Sequence, residues 1–293
     1  MRLDKFLAAA DRLGSRGRAV AALDRGKVFL NGEEVVDASR RLAEGDVVRV
    51  WMDRPGSARR APSQTGDLEI LYEDDVLVVL NKPPGLLSVP LERKAAASSV
   101  YDQLEDYFRP RGKRRPFVVH RIDRDTSGVV IFAKDARTQE ALKAQFRRHE
   151  PERVYWAIVY GHPDPTAGIW RDRLVWDRKA LIQRATRPRD PEGTEAVSEY
   201  RVVERFRDTS LIEVRLRTGK RNQIRIQARL RGHTLVGERR YVSGPDVLRP
   251  IAFPRQALHA YRLVLKHPED QRPLRFEAPL PPDFRDLLGR LRS

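Results

Sequence analysis

The chain has 293 residues, enough for a substantial core, and at one domain per ~100 to 200 residues two units are expected. Apolar residues make up 40% and charged residues 33%, too apolar for a disordered polymer and too charged for a membrane protein, and the absence of cysteine excludes disulfides, thiolate nucleophiles, Cys-based zinc sites and iron–sulfur clusters. The 57 Lys and Arg against 41 Asp and Glu give a net charge of +16, which makes nucleic acid the leading class of partner and a solvated Arg-rich surface the plainer alternative.

The opening Met1-Arg2-Leu3-Asp4-Lys5 carries an acid and no unbroken apolar run, so cytoplasmic residence is expected. Leu3, Phe6, Leu7 and Ala10 recur at helical spacing, and a second helical stretch from Ser15 carries Val20 and Leu23 on one side until Gly26 stops it. The run from Lys27 to Val36 reads as two strands around Asn31-Gly32, because Asn-Gly supplies the positive φ values of a type I′ hairpin, and Asp46 to Trp51 is a last strand. With Arg2-Leu3-Asp4-Lys5-Phe6-Leu7, Ser15-Arg16, Gly26-Lys27-Val28, Val35 and Gly45-Asp46 in this order, residues 1–51 resemble the S4 RNA-binding domain, a small α/β module. That resemblance implies an RNA-holding role for Lys5, Arg12, Arg16, Arg18 and Lys27; taken singly, each is as well read as an ordinary surface charge.

Residues 52–66 lack apolar periodicity and are rich in Pro, Gly and Ser, so they read as a flexible linker. From residue 67 to 293, strand-like runs recur at 68–72, 76–81, 129–133, 154–160, 199–204, 210–217 and 262–266, with helical stretches at 99–108 and 137–147. The pattern predicts an α+β domain built on a mixed, mainly antiparallel β-sheet.

Between the apolar runs Phe117-Val118-Val119 and Val129-Val130-Ile131-Phe132 lies the polar cluster His120-Arg121-Ile122-Asp123-Arg124-Asp125-Thr126-Ser127-Gly128. Flanking arginines, hydroxyls and a permissive glycine would hydrogen-bond a carboxylate there, although most Asp-rich loops are Asx or ST turns with surface salt bridges. This string is similar to the signature of the RluA-type pseudouridine synthases, in which the Asp after His-Arg-Leu is catalytic; Ile122 stands for Leu. The likeness extends over most of residues 67–290, through Asn81-Lys82-Pro83-Pro84-Gly85-Leu86, Leu258-His259-Ala260 and His267-Pro268.

The resemblance implies conversion of uridine to pseudouridine in structured RNA by a protein with a pseudouridine synthase-type catalytic domain, needing no cofactor and no metal. It implies Asp123 as the catalytic carboxylate, acting as nucleophile or base, and Tyr155 as the aromatic that stacks on uracil. The segment 216–227 resembles the motif Thr-Gly-Arg-x-His-Gln-Ile-Arg-x-His, which makes Arg225 the partner of the carboxylate through an Arg–carboxylate fork and Ile224 the apolar residue beneath the base. Asn222 and Gln227 stand where that motif has histidines, Thr234 where Pro is common, and Glu238 where Asp is usual after Gly237. Amides cannot become cationic toward phosphate, so the RNA-facing groove is expected to read its substrate differently. Arg121 is expected to fill the stack vacated by the flipped uridine, or else to pair with Asp123 or Asp125, with His120 assisting. The loop 109–116 carries five cations suited to phosphates. We expect a monomer acting on ribosomal RNA, with transfer RNA and a purely RNA-binding role as the alternatives, and no membrane partner.

Overall fold

Leu3, Leu7, Ala19, Leu23 and Val28 are sealed from solvent in the first of two compact units, Met1–Gly66, and residues Asp67–Ser293 form the second. The computed structural model describes every residue except 25–27, 36, 51–67, 91–97, 110–114, 178–181 and 188. The expected linker at 52–66 and most of the cationic loop at 109–116 therefore lie outside the described residues, as do Gly26, Lys27, Val36 and Trp51.

In the first unit, α1 (Leu3–Leu7) and α2 (Arg16–Asp24) pack their apolar positions on β1 (Val28–Leu30), which pairs antiparallel with β2 (Glu33–Glu34) and β3 (Val48–Val50). Asn31 and Gly32 have φ of 53° and 89°, the signs that the expected hairpin turn demands. Fully burying each Leu is worth ~1.5–3 kcal/mol, so Leu3, Leu7 and Leu23 carry much of this small core.

The second unit runs β4 (Ile70–Glu73), β5 (Leu77–Lys82), α3 (Val100–Phe108), β6 (Phe117–Val118), β7 (Ser127–Ala133), α4 (Ala136–Arg147) and β8 (Glu152–Tyr160). It continues through β9 (Ala167–Asp177), β10 (Ile182–Ala185), β11 (Thr194–Arg205), β12 (Thr209–Leu216), α5 (Gln223–Leu230), β13 (Leu258–Lys266), β14 (Pro273–Glu277) and α6 (Pro282–Arg292). The strands make one sheet in the order β10-β9-β11-β12-β8-β13-β7-β5-β4, with β14 beside β13 and β6 beside β7. Among the described pairs only β13 and β7 run parallel, so the α+β, mainly antiparallel expectation holds. No helix among the described residues is long and apolar enough to cross a membrane.

Alternation along β5 and β7 sends Val78, Leu80, Val130 and Phe132 to one face against Leu104 and Phe108 of α3. Leu77, Val79, Val129 and Ile131 go to the other, against Leu142 of α4. Ser99 starts α3 with a capping box to Asp102, and Asp135 caps α4 by accepting from the Thr138 N–H. The sheet thus holds the loop 119–126 rigidly at the mouth of β7. Gly128 makes this junction possible: at φ 110° a Cβ would sit 2.2 Å from the carbonyl oxygen of Ala260 on β13, so only glycine lets the strands approach.

Candidate active site

Every backbone carbonyl of the loop from Ile122 to Asp125 has a donor. Ser88 Oγ donates to the oxygen of Ile122 (2.8 Å), the Thr126 N–H to that of Asp123 (3.1 Å), Lys82 Nζ and the Gly85 N–H to that of Arg124 (2.7 and 3.0 Å), and Arg255 Nη1 to that of Asp125 (3.0 Å). Lys82 is wholly buried and also donates to the oxygens of Pro83 and Leu86, both at 2.7 Å. Burial pushes its ammonium pKa down to about 7. The loop is therefore pre-ordered before any substrate arrives, which fixes where the Asp123 side chain points.

Asp123 and Arg225, 102 residues apart in sequence, meet at 3.1 Å (Nη1 to Oδ2). The same oxygen accepts from Asn222 Nδ2 at 2.6 Å, and Asn222 Oδ1 in turn accepts from the Tyr241 hydroxyl at 3.1 Å. Arg225 lies on the first turn of α5, and Asn222 is its N-cap in the left-handed region (φ 55°). The expected Arg–carboxylate fork exists, but it falls on a different acid: Arg225 Nε and Nη2 grip Glu238 at 2.6 and 2.8 Å. The Glu238 side chain has no exposed surface and also accepts from the N–H groups of Arg239, Arg240 and Tyr241. Burial raises its pKa, but Arg225 and the backbone N–H donors together outweigh burial and hold the carboxyl below the usual range. Glu238 and Tyr241 were not foreseen as site residues; the departure at Glu238 was their only visible trace.

A cavity of about 640 Å³ opens over this cluster, lined among others by His120, Arg121, Asp123, Arg153, Tyr155, Asn222, Ile224 and Arg225. Tyr155 comes from β8 and Ile224, nearly fully buried, from α5. Burial pushes the Tyr155 pKa up, with Asp123 adding to the rise, so the phenol keeps its proton at neutral pH. Trp156 points to the opposite face and stacks on Tyr261 (centroids 4.7 Å apart). The sequence expectations for this constellation converge on one cavity.

The other candidates divide. Arg121 is exposed at the cavity and makes no ion pair with either aspartate; Arg124 takes Asp125 at 3.1 Å instead. His120 forms cavity wall: its Nε2 accepts from the Ile131 N–H (3.2 Å), its ring stacks on Phe146 (4.9 Å), and burial lowers its pKa to about 3. Gln227 does not face a groove. It is fully buried, donating from Nε2 to the oxygens of Trp170 and Ala196 and to Asp172, and accepting from Ser198 Oγ at 2.6 Å. Three buried partners and the half-buried Asp172 make it a structural hub, which corrects the expectation that both amides bear on RNA; Thr234 is likewise buried. In the first unit Lys5 is exposed, whereas Arg16 lies 3.6 Å from Asp4, which also accepts from Arg2. Arg12 folds back over the Phe6 ring at 3.5 Å.

A model of the RNA pseudouridylate synthase family matches residues 76–230, and one of the S4 domain matches residues 1–48. An uncharacterised RNA pseudouridine synthase of Bacillus subtilis is 37% identical over 300 residues, covering 100% of this chain and 94% of that protein. The ribosomal large subunit pseudouridine synthases D of Zymomonas mobilis and Vibrio cholerae are 33% and 31% identical, covering 99% and 100% of this chain and 93% and 91% of theirs. The solved structure of human RNA pseudouridylate synthase domain containing 4 shares the fold, with a TM-score of 0.63 at 24% identity over 76% of this chain and 93% of its own. On the family model and on these relatives along its length, the chain belongs to the RNA pseudouridylate synthase family, enzymes that isomerise uridine in RNA to pseudouridine.

Proposed function

We propose that Asp123 is the catalytic carboxylate of this isomerisation and that the RNA it acts on is that of the large ribosomal subunit. The observation that carries the reading is the carboxylate of Asp123 fixed by Arg225 Nη1 and Asn222 Nδ2 beside Tyr155 and Ile224 in one cavity. The reaction breaks the bond from N1 to C1′, turns the uracil and joins its C5 to C1′, the C5 hydrogen being lost as N1 gains one. One rigidly aimed carboxylate near C1′ and C2′ serves this, as nucleophile or as base, and Asp123 supplies it. Arg225 and Asn222 orient it, Tyr155 stacks on the uracil and offers a protonated hydroxyl, and Ile224 supports the base from below. Arg121, exposed and without an acidic partner among the described residues, fills the stack that the flipped uridine leaves. His120 shapes the wall beside it.

Residues 1–51 act as an RNA-holding S4 domain through exposed cations such as Lys5 and Arg16, residues 52–66 as a linker, and 67–293 as the catalytic domain. We place the protein in the cytoplasm as a monomer, with no cofactor. The ribosomal assignment rests on the names of the relatives from Zymomonas mobilis and Vibrio cholerae. The test is to map pseudouridine in cellular RNA with the gene intact, deleted, and carrying Asp123→Asn. A large-subunit site that vanishes in both altered strains supports the reading; a vanished transfer RNA site overturns the substrate, and modification by the Asn variant overturns Asp123.

A further inference from the structure

Arg153 is a cation of the cavity wall with no part in the chemistry proposed for Asp123. It lies on β8 two residues before Tyr155, so both side chains leave the same face of the strand, with Cα atoms ~6.6 Å apart. Its Nε is buried without a hydrogen-bond partner, and its Nη2 reaches only the carbonyl oxygen of Arg217, at 3.5 Å. Phe146 covers it at 5.7 Å, and no described carboxylate forms an ion pair with it. The neighbouring cations differ: Lys143 and Arg147 are within 4 Å of Glu140, and Arg225 is held between Glu238 and Asp123. A half-buried guanidinium with an orphaned, buried N–H is costly unless something supplies charge and acceptors.

The neighbouring loop makes room for it. A Cβ on Gly219 would lie 2.4 Å from Arg153 Nη1, so the guanidinium passes directly over that glycine into the cavity. Lys220 and Arg221 follow Gly219 in sequence and also line the cavity, adding to its positive charge. His120 and Tyr155, titratable groups packed at this corner, are both neutral at physiological pH and offer no countercharge. The missing partner is therefore anionic, rich in acceptors, and suited to a positively charged cavity, which describes a phosphodiester better than a neutral uracil carbonyl.

We propose that Arg153, threaded across Gly219, binds a phosphodiester adjoining the flipped uridine and so sets the depth at which the base meets Tyr155. This rests on the Asp123 site being the catalytic one. The test uses synthetic RNA carrying the mapped target uridine with a single uncharged methylphosphonate on its 5′ or its 3′ side. For the unaltered protein one of these is expected to lower kcat/KM roughly 10- to 100-fold, the span of one charge-assisted contact. Arg153→Met should lose a similar factor on all-phosphate RNA and show no further loss with that methylphosphonate, while Arg153→Lys keeps part of both. Gly219→Ala, which leaves the cation but displaces it, should blunt the same sensitivity should the Met variant fold poorly. If Arg153→Met is as sensitive as the unaltered protein to both modified RNAs, the proposal is wrong. Turnover of all-phosphate RNA that survives Asp123→Asn would instead overturn the site itself.

Discussion

Arg225 grips Glu238 through Nε and Nη2 and reaches Asp123 through Nη1, so the fully buried acid fixes the plane from which the guanidinium addresses the partly exposed one. Three N–H donors to Glu238 lock that acid in turn. Glu238→Gln keeps the volume but removes the charge and turns an amide N–H toward the guanidinium. It should lower the single-turnover rate roughly 10- to 100-fold, the worth of a charge-assisted contact, and leave RNA affinity within about twofold. Rate and affinity falling together would show that Glu238 supports the fold and does not aim the site.

Arg225→Ala removes the contact to Asp123 and leaves Glu238 buried and unpaired. Turnover should be abolished with a modest loss of RNA affinity, and stability should fall by ~3–5 kcal/mol, the usual cost of breaking a buried pair from one side. Replacing both members, as Arg225→Met with Glu238→Gln, removes both charges while the amide oxygen still accepts from the N–H groups of Arg239, Arg240 and Tyr241, and should recover most of that stability without recovering activity. Thermal melts and pseudouridine formation measured on the same preparations separate the two effects; a double variant no more stable than Arg225→Ala would contradict the buried-charge account.

The strands flanking Asp123 were legible because β5 and β7 are buried on both faces and read as unbroken apolar runs. β9 was not: its buried Trp170, Leu174 and Val175 are spaced by Arg171, Asp172 and Arg173, whose partners Glu195 and Arg231 are remote in sequence. The helix α5 was missed for a similar reason, since its two glutamines look like surface residues. Gln223 and Gln227, four apart, lie on one helical face and both bond Ser198 in the core, whereas Asn222 precedes the helix and is free to reach Asp123. Alignment to a motif gave both amides one meaning, and one helical turn gives them two. The pairing of Asp123 with Arg225 spans the domain, so spacing could not reveal it and only resemblance did.

Lys82 ties the first motif to the active-site loop by donating to the oxygens of Pro83, Leu86 and Arg124. Lys82→Met fills the space but orphans the carbonyls of Pro83 and Leu86, each worth ~1–3 kcal/mol when buried and unsatisfied, while that of Arg124 keeps the Gly85 N–H. A destabilisation of a few kcal/mol should appear in urea melts, together with a fall in pseudouridine formation as the Arg124 carbonyl loses the nearer of its two donors. A variant of unchanged stability would mean that water replaces the ammonium without cost.

Acid should weaken the fold before it reaches the carboxylates. Burial lowers the pKa of His120 to about 3 and that of His259, bonded to Ser127 Oγ (2.9 Å) and the Ala278 carbonyl (3.1 Å), to about 4, both from a reference of 6.5. The unfolded chain therefore binds protons that the folded chain refuses between about pH 6.5 and those lower values, so stability falls as pH falls through that window. Each unit of depression corresponds to ~1.4 kcal/mol, which puts the combined loss near pH 4 at several kcal/mol. Urea melts at pH 7 and pH 5 should show the decline, and His120→Gln should flatten it while leaving the His259 share. The same slope in the Gln variant would mean that the imidazole of His120 accepts a proton without opening its packing against Phe146.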